Sequence, residues 1–485
     1  MNKTQPNILL ITCDQLRADC LGCYGNSIIR TPNIDRIADQ GTRFEHMHVA
    51  SPVCAPNRGS IATGRWPSVH GLRANGYKLP ESELTLMECL RRAGYATFGA
   101  GKMHFAPQWE YGLDEAELLL KEGGSEQRAV NPQPRPWEFP FFGFEDGMFS
   151  EDNRVGPYAD YVRAHGLDPW ADPHSFTYPQ HSTTQSAWPE SHHQTTWVAD
   201  RSLEFLEKTT PDRPFFLWTS FVHPHHPFNP PAPFDTMYDP DLLPDPIWDA
   251  DESVHWPVSL ISKYEATAGG HEAIGMSNLT NADFRRVKAY YYGMISLIDK
   301  QVGRLLDMLE RRHMAESTIV VFTSDHGELL GDHHLLFKGS HFDCVTRVPF
   351  ILSGSGRTGN TCPTLCQSPD IMPTLLDMAG LVAPDTVQGR SLRPAMENPV
   401  DDRHEEAFIE DVGCGMYTVL DREARLTWHG PGKRGELYAF DTDPNELCNS
   451  WGSSTTSGLQ QHMMERLLFH LADNFDPIHR KLTLC

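Results

Sequence analysis

Four short apolar runs each end in residues able to bind or move charge. Asp14 and Gln15 follow residues 7–13 (NILLITC). Lys102 and His104 follow 96–100 (ATFGA). His223, His225 and His226 follow 214–222 (PFFLWTSFV), and Asp325 and His326 follow 318–324 (TIVVFTS). In an open α/β sheet, ligands bind beyond the carboxyl ends of the strands. A single strand-end aspartate is about as often a helix cap; four clusters at equivalent positions converge on one site. Asp14, Gln15, Asp325 and His326 offer carboxylate, amide and imidazole donors. Such an oxygen-rich set suits a hard divalent cation, calcium or magnesium, and the imidazole admits manganese. Lys102, Lys338 and Arg58 supply the positive charge that an oxyanion substrate needs.

The most specific segment is 54–65, CAPNRGSIATGR. Pro56 suits the first turn of a helix that Gly64 ends. Cys54 then lies at the helix N-terminus, where free amides and the dipole favour an anion. The residues alone leave two readings level: a buried thiol before a helix, or an activated nucleophile. Cys13, Cys20 and Cys23 have no fourth ligand at zinc-finger spacing.

These residues need a scaffold. The apolar runs, with 348–352 (VPFIL), are too short for helices and too uniformly apolar for a half-exposed sheet, as strands buried on both faces must be. Helical patterns lie between them. Leu86, Leu90 and Ala93 share a face that stops at Gly94; Val198, Leu203 and Leu206 mark another; the longest is predicted over about 281–312. Alternating strands and helices read as a doubly wound α/β fold. Residues 1–394 are expected to form the main domain and 395–485 a small α+β subdomain, with short antiparallel strands at 417–420, 424–429 and 436–440 and a final helix near 458–474. Residues 108–193 have little periodicity and are expected to shape the substrate pocket. Their aromatic residues Trp137, Phe139, Phe141, Phe142, Trp170 and Trp188, with Trp197 just beyond, suggest sugar stacking, against the blander reading of packing onto the domain. His165, His174, His181, His192 and His193 read as surface or hydrogen-bonded histidines.

The chain has 485 residues, with 41 Lys+Arg against 64 Asp+Glu and a net charge of −23. That balance argues against nucleic-acid or anionic-membrane binding, which need a basic surface. No run approaches the ~20 apolar residues of a membrane span. The polar first residues lack a signal-peptide pattern, so a cytoplasmic location is expected.

Cys54-x-Pro56-x-Arg58 followed by Thr63-Gly64-Arg65 resembles the signature of type I sulfatases. So do Asp14-Gln15, 31–35 (TPNID), 101–104 (GKMH), 324–328 (SDHGE), Lys338-Gly339, 347–350 (RVPF), and Glu436-Leu437-Tyr438 followed by Asp443-Pro444. The likeness spans about 6–447, excluding much of 108–193. It implies an alkaline-phosphatase-like fold, a mixed sheet flanked by helices. It also implies that Cys54 is oxidised to Cα-formylglycine by a formylglycine-generating or anaerobic sulfatase-maturing enzyme. One hydroxyl of the aldehyde hydrate then attacks sulfur and the second releases sulfate. By the same resemblance Asp14, Gln15, Asp325 and His326 hold the cation, usually calcium, together with residue 54, and Arg58 orients the hydrate. Lys102, Lys338 and His225 (or His223) hold sulfate oxygens, and His104 moves a proton. Gln15 departs from the Asp-Asp start of many sulfatases and resembles the choline-sulfatase and phosphonate-monoester-hydrolase branch, in which an asparagine like Asn75 also faces the site. The expected substrate is a sulfate ester of a mono- or oligosaccharide. The alternatives are choline or aryl sulfate, or a phosphonate monoester or phosphodiester.

Overall fold

A computed structural model describes residues 5–106, 139–152, 156–169, 171–172, 182–248, 279–354, 358–397, 405–430 and 434–474. The central sheet has eight strands: β1 (Asn7–Asp14), β2 (Gly41–His48), β3 (Ala96–Gly101), β4 (Asp146–Phe149), β5 (Phe215–Pro224), β6 (Thr318–Ser324), β7 (Phe350–Ser353) and β8 (Asn360–Gln367). Their order is β4-β3-β5-β1-β6-β7-β2-β8. Neighbours pair in parallel except at β7, which runs antiparallel to both β6 and β2. The four strands that end in ligand-type residues, β3, β5, β1 and β6, are therefore adjacent and parallel, and their carboxyl ends share one edge.

Both faces of the sheet are covered, which is why its central strands are uninterrupted apolar runs. Ile8 and Leu10 of β1 join Phe216, Trp218, Ile319 and Val321 under the helices Cys54–Thr63, Leu86–Arg92 and Ile371–Met378. Leu9 and Ile11 point the other way, joining Leu217, Val320 and Phe322 under Pro32–Asp39, Gln194–Lys208 and Asn281–Arg311. Truncating such a fully buried leucine to alanine costs about 2–5 kcal/mol. The long helix begins at a capping box in which Thr280 and Asp283 satisfy each other's backbone amides. The helix Leu86–Arg92 ends before Gly94, whose φ of 97° turns the chain back toward β3.

A second sheet, antiparallel, follows: β9 (Ala407–Asp411), β10 (Met416–Leu420), β11 (Ala424–His429) and β12 (Arg434–Ala439), in the order β12-β11-β10-β9. The helix Ser457–Asp473 packs Met463 and Leu467 on Val419, Leu426 and Leu437. Tyr438 joins a separate cluster with Leu335 and Phe342, on the segment that carries Lys338.

The aromatic residues offered as a sugar-stacking surface have another use where they are described. Phe139, Phe141 and Phe142 pack against the cluster under Leu86 and Phe144, and Trp188 and Trp197 are buried around Tyr158. The two tryptophans are core and the three phenylalanines are half-buried against it, because a large insertion must bury its own apolar surface. Trp137, Trp170, His174 and His181 lie outside the described residues. His192 stacks among Tyr161 and His165, and His193 caps the helix Gln194–Lys208.

Candidate active site

Cys54 opens a ten-residue helix that is buried along its whole length. Val53 gives this helix no side-chain cap, and the Ala55 amide instead donates to Asn75 Oδ1 at 3.1 Å. Asn75 thus stands beside Cys54. Asn57 ties the helix to the sheet, accepting from the Ala50 amide and donating to the Asp325 carbonyl at 2.6 Å. Arg58, one turn after Cys54, reaches across three strand ends. Its Nε donates to Asp325 Oδ2 at 2.7 Å, and its Nη1 to the Lys102 carbonyl and Ser220 Oγ.

Cys54 Sγ lies 2.8 Å from Lys338 Nζ and 3.3 Å from His326 Nε2. Burial and Asp14 push the thiol up, but Lys338, Lys102 and His326 together outweigh them and hold it well below its ordinary range. On the same face, Asp14 touches Lys102, and its Oδ1 lies 3.3 Å from His326 Nε2. Asp14, Cys54, Asp325 and His326 each offer a ligand atom within 4.8 Å of the others, all buried.

The donor set fits a divalent cation on the structure's own terms. Asp14 Oδ2 is buried against the Lys102 ammonium, while Asp14 Oδ1 and Gln15 Oε1 are buried and accept no hydrogen bond from the described residues, a costly state that a cation in the space they face would relieve. His326 Nδ1 lies 2.9 Å from the Gly327 carbonyl and donates there, which turns Nε2, 3.1 Å from Lys338 Nζ, toward the cluster as the nitrogen that would meet a cation. Gln15 sits at a φ of 70°. Its backbone amide donates to Asp325 Oδ1 and its Nε2 to Glu328 Oε2, which leaves Oε1 as the free end. Burial pushes the Glu328 carboxyl up against the pull of the Leu330, Phe337 and Gln15 donors.

Lys102 is fully buried, and its Nζ donates to both oxygens of Asp152, at 2.6 and 2.8 Å. Burial would lower its pKa, but Asp14 and Asp152 raise it well above the usual amine range. Lys338 is likewise raised, against its burial, by Cys54 and Asp14. His104 adopts a φ of 56°; Glu151 holds its backbone amide at 3.0 Å, and its Nδ1 is buried with no hydrogen bond among the described residues. His225 places a ring nitrogen within 4.8 Å of carboxylate oxygens of Asp14 and Asp152. Its Nδ1 lies 2.7 Å from the His226 carbonyl, and its ring stacks on His226 at 4.0 Å. Burial and then Lys338 lower its pKa below the ordinary imidazole value. His223 goes elsewhere: its Nδ1 meets Thr195 Oγ1 at 3.0 Å and its ring packs on His193.

The structure therefore gathers Asp14, Gln15, Cys54, Arg58, Asn75, Lys102, Asp325, His326 and Lys338 around one point, with His225 alongside and His104 next to Lys102. Sequence reasoning passed over Asp152, Glu151, Glu328, Asn57 and Ser220. Glu328 and Asn57 sit inside the quoted motifs and were within reach. Asp152 follows β4, a four-residue edge strand with no apolar run to announce it.

The sulfatase family matches residues 6–381, and the C-terminal family of N-sulphoglucosamine sulphohydrolase matches 331–473. The chain is 33% identical to an arylsulfatase of Clostridium perfringens, over 92% of this chain and 90% of that protein. It is 28% identical to an ulvan-active sulfatase of Formosa agariphila, over 97% and 83%. Among solved structures, the phosphonate monoester hydrolase of Agrobacterium radiobacter superposes with a TM-score of 0.82 at 25% identity, covering 99% of this chain and 98% of that one. The matched span holds every residue of the cluster, and with it the chain belongs to the sulfatase family, hydrolases of sulfuric esters.

Proposed function

We propose that this chain removes sulfate from a sulfated mono- or oligosaccharide. Residue 54 acts as Cα-formylglycine, and a divalent cation, calcium foremost, is held by Asp14, Gln15, Asp325 and His326. The observation that carries the reading is the setting of Cys54. It heads a buried helix, within hydrogen-bond reach of a lysine and an imidazole, beside a cluster of buried carboxylate and amide oxygens in which Asp14 Oδ1 and Gln15 Oε1 accept no hydrogen bond from the described residues. The aldehyde form of residue 54, once water has added to it, would supply two geminal hydroxyls, one to attack sulfur and expel the alcohol and one whose deprotonation would expel sulfate and re-form the aldehyde. The cation supplies Lewis-acid polarisation and lowers the pKa of the attacking hydroxyl. Because Cys54 is only 1% exposed, the enzyme that matures it must meet the chain before it folds.

The chain's own groups do the rest. Lys102 and Lys338 stay protonated in the buried site and neutralise the sulfuryl oxygens, which gain charge in the transition state. Arg58 holds Asp325 and spans to Lys102, keeping cation site and anion site at a fixed separation. The leaving alcohol needs a proton, and His104, next to Lys102, and His225, facing Asp14 and Asp152, are imidazoles placed to supply it. The likeness to an ulvan-active sulfatase supports a carbohydrate substrate. The likeness to a phosphonate monoester hydrolase supports a second reading, a monoanionic phosphonate ester handled by the same groups.

The test is a turnover screen of short sulfated saccharides, their parent polymers, choline sulfate, para-nitrophenyl sulfate and para-nitrophenyl phenylphosphonate. The saccharides should give the highest kcat/KM. Choline sulfate ahead by about an order of magnitude would overturn the carbohydrate assignment, and the phosphonate ahead of every sulfate would install the second reading. Cys54→Ala should abolish turnover while the protein stays folded. Peptide mass spectrometry should find the aldehyde at residue 54 of active enzyme, and an unmodified thiol there sinks the mechanism. Chelation should remove activity and calcium, magnesium or manganese restore it.

A further inference from the structure

Asp152 is a carboxylate of this site with no task in the scheme above. Asp14 and Asp325 belong to the cation cluster, which needs their charge. Asp152 lies outside that cluster, although one of its oxygens comes within 4.8 Å of an Asp14 oxygen across Lys102. Both its oxygens engage Lys102 Nζ, at 2.6 and 2.8 Å, and one lies within 4.8 Å of a ring nitrogen of His225. It therefore stands among the groups that receive the anionic end of the substrate, with its side chain 15% exposed. A carboxylate there is adverse to every anion, and the penalty grows with the anion's charge. A sulfate monoester carries one negative charge on its sulfuryl group. A phosphate monoester of the same shape carries nearly two above neutral pH.

We propose that Asp152 is a specificity-determining residue that cancels one positive charge at the anion site, so that monoanionic sulfuryl esters are accepted and dianionic phosphoryl esters of the same shape are rejected. This rests on the sulfatase reading above. The three cations Arg58, Lys102 and Lys338 would otherwise favour the more highly charged ester. With Lys102 already shared by Asp14 and Asp152, the site offers less surplus charge to a dianion. The same carboxylate also fixes Lys102 in place, so a merely structural role must be separated from a selective one.

Three esters with one leaving group make that separation at about pH 8, where the phosphate monoester is a dianion. They are para-nitrophenyl sulfate, para-nitrophenyl phosphate and the monoanionic para-nitrophenyl phenylphosphonate. In Asp152→Asn the ratio of kcat/KM for phosphate to that for sulfate should rise by about ten- to a hundredfold. The ratio of phosphonate to sulfate, equal in charge, should stay put, and Asp152→Glu should keep the wild-type preference. Loss of the same factor on all three esters, or loss of all turnover, would reduce Asp152 to a prop for Lys102 and overturn the proposal. A parallel rise for the phosphonate would show shape, not charge, and overturn it too. Wild-type protein with no sulfate-ester turnover would instead defeat the sulfatase reading itself.

Discussion

Replacing Glu328 by glutamine should loosen the cation site without touching a ligand. A glutamine at residue 15 can present either end of its amide, and only the oxygen suits a cation. Glu328 makes the choice: its Oε2 takes Gln15 Nε2, while its Oε1 takes the Leu330 and Phe337 amides. An aspartate at 15 would face Glu328 charge to charge, which is a physical reason for the Asp-Gln start. With glutamine at 328, three donors and one carbonyl oxygen cannot all be satisfied. Outer-shell losses of this kind typically cost about 10–100-fold in metal affinity. Calcium titration of demetallated Glu328→Gln protein by calorimetry should show that loss; equal affinity would mean that Gln15 needs no orientation. His104 allows a second test at this scale. As proton donor it matters most for a poor leaving group, so His104→Ala should slow an alkyl or sugar sulfate about 10²–10⁴-fold and para-nitrophenyl sulfate much less. Equal slowing would assign His104 to sulfate binding instead.

The segment carrying Lys338 is held from outside the central sheet. Arg425 of β11 donates to Thr346 Oγ1 at 2.7 Å and to the His341 carbonyl, and pairs with Asp343 and with Glu446 at 2.6 Å. His341 Nδ1 meets Thr418 of β10, and Tyr438 of β12 packs on Phe342. Arg425→Met leaves Glu446 buried without its cation, and breaking such a pair costs about 3–5 kcal/mol. It should lower the melting temperature and, because Lys338 lies between the clamped residues and the cation loop, raise KM for sulfate esters. A lowered melting temperature with unchanged KM would show that the clamp serves stability alone. The C-terminal elements were partly legible beforehand. Short strands expected at 417–420, 424–429 and 436–440 fall on β10, β11 and β12, and an amphipathic period marks the last helix to within a residue or two at each end. β9 escaped, as did β2, β4 and β8. β2 reads GTRFEHMH and shows water a polar side; β4 has four residues; β8 carries Pro363, tolerated at a sheet edge. The site divides along the same line. Residues at the ends of apolar central strands, and those in the Cys54 segment, were readable. Asp152 and the orienting contact of Glu328 depend on which strand lies beside which, and that is tertiary information. His223 and His225 are two residues apart in one strand-end run, and only their partners separate them.

At the scale of the whole molecule, acid should act through buried histidines before it acts on the carboxylates. His48 and His70 are fully buried, and burial lowers each to about 3. His341 is held well below its ordinary value by burial and then by His429 and Arg425. His70 is fixed as the neutral ring: Nδ1 accepts from the Leu72 amide and Nε2 faces Ser60 Oγ at 3.1 Å. A histidine with a depressed folded pKa binds its proton more readily in the unfolded chain, so stability falls as pH drops below the unfolded value of about 6.5. The loss continues until the folded ring can itself protonate, near 3 for His48 and His70. Well inside that window each such histidine contributes a slope of about 1.4 kcal/mol per pH unit. Asp299 works the other way: burial raises it to about 6, so it takes up a proton in the folded state first and offsets part of the slope between about 6 and 4. Carboxylates held low by cations, such as Asp14 beside Lys102, add their loss only as pH falls through the carboxylate range. Urea unfolding from pH 7.5 to 5 at fixed calcium should therefore show stability declining from about pH 6.5. His70→Asn keeps an acceptor for Leu72 but cannot titrate, so it should flatten that decline by about one histidine's share. A decline that begins only near pH 4.5, or one that His70→Asn leaves unchanged, would place the acid sensitivity in the carboxylates.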